Sequence, residues 1–399
     1  MIDFPDDIFQ PTPSKVVLLV VDGLGGMPHP DTGLSELETA SLPNLDLLAQ
    51  SSAAGLTTPV APGVTPGSGP GHTALFGYDP LRYTVGRGVL EALGIGADLA
   101  GGAVAVRGNF CTVDGSGAVT DRRAGRIPIA ESAPLAAMLD EIEVPGVELA
   151  VHPGKDYRFV LVIRGEGLGA DVRDTEPRPP SLNPSPAEAL DPGSEATAAA
   201  ANAFTAEARR VLSGRDRANM VLLRGFSQAP DWPQMGDVYK LSPVAIAAYP
   251  MYRGLAQILG MQVIPTGETF DDELSTLEST FGGHDFFFLH YKPADAAGED
   301  GDFDAKIDAL EELDRRIPRL LGLDIDTLVV AGDHSTPAVL AAHSWHPVPL
   351  LVHAPHTLGD GVESFTERAC RTGSIGSVPA SAVMMLALAN AGKLTRFGP

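Results

Sequence analysis

The sequence predicts an α/β fold with a mostly parallel central sheet, and three observations carry that prediction. Short apolar runs bounded by Gly, Asp or Pro recur along the chain, segments with helical spacing separate them, and several runs end in an acidic residue. In order, the runs are KVVLLVVD (15–22), YRFVLVIRG (157–165), ANMVLLRG (218–225), HDFFFLHY (284–291), DTLVVAGD (326–333) and VPLLVHAP (348–355). Each is rich in Val, Leu or Phe, the pattern of a strand buried on both faces, and all six are expected to be parallel. The helical stretches are PNLDLLAQSSA, EARRVLSG, AAYPMYRGLAQILGM and DAKIDALEELDRRIPRLLG. In the last, Ile307, Leu310, Leu313 and Ile317 recur at helical spacing, with charges on the other faces.

The chain has 399 residues, 44% of them hydrophobic, which allows a large core and argues for two domains rather than one. Its 28 Lys+Arg against 51 Asp+Glu leave a formal charge of −23. Such a charge repels nucleic-acid phosphates and anionic lipid, so neither nucleic acid nor membrane is an expected partner. An anionic substrate would then need local arginines or recruited cations. Two cysteines, Cys111 and Cys370, exclude a disulfide scaffold and fit a reducing cytosol. The stretch MIDFPDDIFQ lacks the basic-then-apolar pattern of a signal peptide, and no apolar run approaches the ~18 residues that span a bilayer. A cytoplasmic protein is expected.

Composition shifts along the chain. Residues 172–196 are rich in Pro, Ser and acid and read as a long surface excursion. Arginines gather in the middle (Arg107, Arg122, Arg123, Arg126, Arg158, Arg164, Arg173, Arg178), whereas residues suited to metals lie toward the two ends. The expected organisation is a metal-bearing core from residues 1–100 and 238–399, with a smaller α/β (α+β) anion-binding domain, 101–237, inserted between.

The first apolar run ends at Asp22, HDFFFLHY leads to Asp295 and Glu299, and DTLVVAGD ends at Asp333 and His334, with His343 nine residues further on. Carboxylates at the C-terminal ends of parallel strands stand over the crevice where such sheets bind ligands. Several acids in one crevice repel unless cations neutralise them, and mixed Asp/His sets suit Mn²⁺, Zn²⁺ or similar ions. Taken singly, an acid after a strand is more often a helix cap. The loop 58–80 places Ser68 among Gly67, Gly69 and Gly71, a backbone that can project the hydroxyl, although an ordinary Gly/Pro loop has the same composition. His72 follows Ser68 by four residues, where it would orient that loop or serve packing alone. His290 and Lys292 precede Asp295 closely enough to line the crevice.

Eight motifs occur in one order: VVDGLGG, SLPNLDLLAQSSAAGL, PGSGPGHTALFGYDP, YTVGRGVLEALGIG, RGNFCTVD, DRRAGRI, KPADAAGEDGDFDAKI, and AGDHSTP followed by HS–HPVPLL. The series resembles the cofactor-independent phosphoglycerate mutases of the archaeal type, within the alkaline-phosphatase-like metalloenzyme superfamily. The likeness spans roughly the whole chain apart from 172–196, and implies an alkaline-phosphatase-like core carrying the inserted domain. It also implies that Ser68 is the nucleophile accepting a phosphoryl group from 3-phosphoglycerate and returning it to the 2-hydroxyl. Asp22, Ser68, Asp333 and His334 match the ligands of one cation, and Asp295 and His343 those of a second.

Glu299 stands where the family usually has histidine, and can offer an oxygen to the second ion. Gly69 replaces a common acid. The implied substrate-binding residues are Asp121, Arg122, Arg126, Arg158, Arg164 and Arg224, with Lys292 as a phosphate contact and Arg253 at a position where lysine is frequent. The expected cofactors are two divalent ions, Mn²⁺ foremost and Mg²⁺, Zn²⁺ or Co²⁺ as alternatives, with no bisphosphoglycerate. Two other functions stay open at this point: a related phosphotransferase on another small hydroxy compound, such as a homoserine kinase-like activity, and a non-catalytic phospho-metabolite-binding protein.

Overall fold

The computed structural model describes residues 6–357 and 359–398, so the opening five residues of the acidic N-terminal stretch lie outside it. The chain divides into two compact units, one from the segments up to Thr84 and from Trp232 onward, the other from Val85–Asp231. Both boundaries precede those read from the sequence, at 100 and 237, because local contacts decide them. The helix Arg87–Gly94 packs on strands of the second unit. Trp232 instead lies against Tyr78 and Tyr83 of the first.

Fifteen strands occur among the described residues. In chain order, β1 (Val16–Val21) and β2 (Ala53–Thr58) belong to the first unit. The second unit holds β3 (Val104–Val113), β4 (Val119–Asp121), β5 (Glu148–Pro153), β6 (Arg158–Arg164), β7 (Val172–Arg173), β8 (Glu188–Ala189) and β9 (Met220–Gln228). The first unit resumes with β10 (Pro243–Ile246), β11 (Gln262–Val263), β12 (Phe286–Tyr291), β13 (Thr327–Ala331), β14 (Val348–His353) and β15 (Gly376–Pro379).

In the first unit the sheet runs β11-β10-β12-β1-β13-β14-β2-β15. Its neighbours are parallel except β13/β14 and β14/β2. Every residue of β1 and β12 is buried, since helices cover both faces. The core on one face joins Val17, Leu19 and Val21 to Phe287, Leu289, Leu310 and Leu313. The helix Pro43–Gln50 has no side-chain cap of its own. Instead the buried Asp314 carboxylate accepts from the backbone N–H groups of Asn44 (3.2 Å) and Leu45 (2.7 Å).

In the second unit β4-β3-β6-β5, with β9 beside β3, forms an antiparallel sheet. Three of the six runs expected to be parallel, those at β6, β9 and β14, are therefore antiparallel. Each is nonetheless mostly buried, and a strand covered on both faces shows the same unbroken apolar run whichever way its neighbours point. The 172–196 excursion carries the two-residue ladder β7/β8 and otherwise little regular structure.

Candidate active site and metal centre

Within the first unit, β1, β12 and β13 lie side by side and parallel, so the residues after each strand gather at one edge of the sheet. Asp22 follows β1, Lys292 and Asp295 follow β12, and Asp333 and His334 follow β13. Ser68 is the first residue of the helix Ser68–Leu75, whose approach depends on Gly71: a Cβ there would meet the Asp333 carbonyl oxygen at 2.2 Å. Gly23, with φ +67°, lets the chain turn beside Asp295, where a Cβ would stand 2.7 Å from Asp295 Oδ1.

The atoms converge in two groups. One ligand atom each from Asp22, Asp333 and His334 lie within 4.8 Å of one another, as do one each from Asp295, His334 and His343. His334 Nε2 is 3.3 Å from Asp22 Oδ1, 3.1 Å from Asp333 Oδ2 and 3.2 Å from Ser68 Oγ. Both carboxylate oxygens are buried without a hydrogen-bond donor aligned on them. Two buried carboxylates and a buried imidazole, with a half-buried hydroxyl beside them, are the kinds of donor that a divalent cation takes. His343 Nε2 is 3.7 Å from Asp295 Oδ1 and 3.4 Å from Glu299 Oε1. Glu299, four residues after Asp295 on the helix Pro293–Glu299, touches this second group through His343 but is not one of its three converging residues. His334 and His343 stack with ring centroids 3.7 Å apart.

The surroundings hold these groups in place. Asp22 Oδ2 is 3.1 Å from His290 Nε2 and 2.9 Å from Lys292 Nζ, and it accepts a hydrogen bond from the Tyr252 hydroxyl. Burial opposes ionisation of Asp22, but His290, Lys292 and His334 outweigh it and hold the carboxyl well below its usual range. Burial likewise works against charge on Lys292, yet Asp22 and Asp295 raise its pKa. Burial pushes the Asp295 carboxyl up, helped by Asp22. His343 is pulled down by burial and lifted to about 9 by Glu299, the Pro66 carbonyl and Asp295. His72 Nδ1 sits 2.9 Å from the Ser68 carbonyl and 3.1 Å from Asp333 Oδ2, linking the Ser68 loop to that carboxylate. Arg253 lies on the helix Pro250–Ile258, directly after Tyr252. Tyr252 carried no signal in the sequence; its role depends on helix and strand facing each other.

The second unit carries an arginine face of its own. Alternation along β3 sends Val104, Val106 and Phe110 into the core and Arg107 and Asn109 to the other side. In register, Arg107 opposes Arg224 of β9, and Asn109 opposes Arg158 of β6. Arg107 Nε and Asn109 Oδ1 are buried without partners. Arg107 Nη1 lies 3.3 Å from Glu91 Oε1 of the helix Arg87–Gly94. Glu176 Oε1 is 3.4 Å from Arg224 Nε, and its Oε2 is 3.5 Å from Arg122 Nη1. Of the expected substrate-binding residues, Arg122, Arg158 and Arg224 fall in this neighbourhood.

Lys292 and Arg253 belong to the first unit, and the remaining three, Asp121, Arg126 and Arg164, do not converge there through observed contacts. Asp121 accepts from the backbone of Arg123 and Gly125 and so shapes its own loop. Arg126 is exposed. Arg164, six residues and about 20 Å along β6 from Arg158, binds Glu148 and the Asp98 carbonyl. Arg107 and Glu91 went unread as site residues because only the strand register sets Arg107 against Arg224.

The chain is similar to known proteins over nearly its whole length. A family model described as 2,3-bisphosphoglycerate-independent phosphoglycerate mutase matches residues 49–217. A protein of Thermus thermophilus, named a probable 2,3-bisphosphoglycerate-independent phosphoglycerate mutase, is 50% identical over 397 residues, 98% of each chain. One of the same name from Thermotoga maritima is 47% identical over 398 residues, covering 99% of this chain and 98% of that one. Among solved structures, a protein of Pyrococcus horikoshii superposes with a TM-score of 0.83 at 27% identity, covering 98% of this chain and all of that one. The cofactor-independent phosphoglycerate mutase of Thermoplasma acidophilum gives 0.71 at 28% identity, over 95% and 100%. With half its residues shared along nearly its full length, this chain belongs to the 2,3-bisphosphoglycerate-independent phosphoglycerate mutase family.

Proposed function

We propose that the protein interconverts 3- and 2-phosphoglycerate, without bisphosphoglycerate, through a phosphoserine at Ser68. The observation that carries the reading is the convergence of Ser68 Oγ with Asp22, Asp333 and His334 around one buried point. Asp22, Ser68, Asp333 and His334 would hold one divalent cation, and Asp295, Glu299 and His343 a second. Such ions lower the pKa of a bound hydroxyl and offset charge on phosphoryl oxygens. Mn²⁺ suits this mixture of carboxylate and imidazole.

In the forward direction, Ser68 Oγ attacks the phosphorus of 3-phosphoglycerate. The bond from phosphorus to the 3-oxygen breaks, leaving glycerate and phosphoserine. The glycerate 2-hydroxyl then attacks the same phosphorus, the bond to Oγ breaks, and 2-phosphoglycerate leaves. Ser68 opens its helix, so unpaired backbone N–H groups and the positive end of the dipole favour the phosphoryl charge. Tyr252, His290 and Lys292 fix Asp22, and His72 ties the Ser68 backbone to Asp333. Lys292 also offers a cation to a phosphoryl oxygen. Arg122, Arg158 and Arg224, with Arg107, are the groups of the second unit suited to a carboxylate or phosphate.

The cytoplasm is the compartment that fits this reading; among the described residues no helix is long and apolar enough to cross a membrane. The test is incubation with 3-phosphoglycerate and Mn²⁺, coupled to enolase, with no bisphosphoglycerate added. Formation of 2-phosphoglycerate is expected. Its absence across Mn²⁺, Mg²⁺, Zn²⁺ and Co²⁺ would defeat the proposal, and product formed only with ATP would point to a kinase-type transfer.

A further inference from the structure

The helix Phe303–Asp314 carries a lysine that phosphoryl transfer at Ser68 does not use. Lys306 is fully buried, and so is Glu36, at the start of the helix Glu36–Thr39. The Lys306 ammonium donates to the carbonyl oxygens of Gly25 (2.9 Å) and Thr336 (2.8 Å) and lies 3.9 Å from Glu36 Oε1. Glu36 accepts from the N–H groups of Ala338 (2.7 Å) and Met27 (3.2 Å). One cation and one anion therefore make four hydrogen bonds, two to segment 25–27 and two to segment 336–338. Those segments directly follow Asp22 and the Asp333–His334 pair.

The connection runs on to the ligands themselves. Thr336 N donates to Gly25 O at 3.0 Å. Thr336 Oγ1 donates to Asp295 Oδ1 at 2.6 Å and lies 2.9 Å from His334 Nδ1. The Thr336 carbonyl held by Lys306 thus belongs to a residue whose side chain sets the tilt of one imidazole and one carboxylate. Stability alone gives little reason for such a pair, since a buried ion pair returns little net energy compared with apolar side chains of similar volume. Geometry gives a stronger one, because partners behind metal ligands commonly change affinity by 10- to 100-fold when removed.

We propose that Lys306 and Glu36 are a positioning pair that sets the spacing between Asp22 and Asp333–His334, and thereby the affinity of the first cation site. This rests on the reading of Asp22, Ser68, Asp333 and His334 as cation ligands. The test is calorimetric titration of Mn²⁺ alone into the full chain as wild type, Lys306→Met, Glu36→Gln and, as a ligand control, Asp333→Asn. The titrations are run below the unfolding transition, on protein with a native circular dichroism spectrum. Both pair variants are expected to weaken, by about 10- to 100-fold, the Mn²⁺ binding that Asp333→Asn disrupts.

A folded Lys306→Met with lowered thermal stability but wild-type Mn²⁺ affinity would reduce the pair to a structural role and overturn the proposal. If Lys306→Met does not fold, Glu36→Gln decides by the same criterion. Wild-type protein that binds no Mn²⁺, or Asp333→Asn that binds it as wild type does, would overturn the cation reading instead.

Discussion

Ser68 Oγ stands 3.2 Å from His334 Nε2, although 266 positions separate the two in the chain. Gly71, one helical turn beyond Ser68, makes the approach possible by leaving no Cβ against the Asp333 carbonyl. The phosphoryl transfer proposed for Ser68 needs such a hydroxyl beside an imidazole and two carboxylates.

Replacing Ser68 with alanine removes the atom that would carry the phosphoryl group. Mutase activity in the enolase-coupled assay is expected to fall by at least about 10³-fold, and phosphoserine at this position should vanish from the mass spectrum of substrate-treated protein. Substantial remaining turnover would mean that another group attacks phosphorus.

Glu299 Oε1 lies 3.4 Å from His343 Nε2, within reach of the second cation proposed above. Glu299→Ala should weaken the second Mn²⁺ by about tenfold or more while sparing the first. Anomalous scattering from Mn²⁺-soaked crystals would show this as one strong peak in place of two. Two peaks of wild-type height would remove Glu299 from the site.

The arginine face makes a distinction between two residues of one strand. Arg158→Ala should raise KM by about 10- to 100-fold, the worth of a charge-assisted hydrogen bond, with a smaller effect on kcat. Arg164→Ala should leave KM within about twofold, because Arg164 is engaged by Glu148 and the Asp98 carbonyl. Equal shifts in steady-state kinetics would contradict the assignment.

Burial pushes the Glu273 carboxyl up to about 8, from an ordinary 4.5, although the N–H groups of Ala248 and His290 donate to it. The folded protein then keeps a proton that the unfolded chain releases. Stability from this group is complete below about pH 4.5 and is lost as pH rises toward about 8, by roughly 3–5 kcal/mol. Glu273→Gln cannot titrate, so in urea unfolding with chelator present its stability should decline less over that interval. Parallel pH profiles would show that Glu273 does not hold the proton.

Asp314 caps the helix Pro43–Gln50 from another element. Asp314→Ala leaves two N–H groups without their acceptor and should cost about 1–3 kcal/mol, read as a lower urea midpoint. An unchanged midpoint would mean that water satisfies them equally well.

Much of the fold was legible in the sequence because burial leaves a local imprint. The runs at β1, β12 and β13 are apolar on both faces, and each leads to an acid, so strand and neighbouring ligand type are both written within about ten residues of chain. Strand direction was not legible at β6, β9 and β14, since an unbroken apolar run reports coverage on two faces and nothing about the neighbour's polarity. Tyr252 and Glu91 left no trace either: one is an aromatic on an amphipathic helix, the other an ordinary helical acid, until the packing sets them beside Asp22 and Arg107.

By itself, then, the order of residues determined which segments become strands and helices, where acids and histidines follow the strands, and the resemblance carried by its ordered motifs. Only the tertiary structure decided that Asp22, Ser68, Asp333 and His334 share one point, that Arg107 faces Arg224, and that Lys306 and Glu36 tie two loops together. The reason is physical: periodicity and turn chemistry act over a few residues, whereas proximity across hundreds depends on how sheets pair and how closely backbones approach once the core has formed.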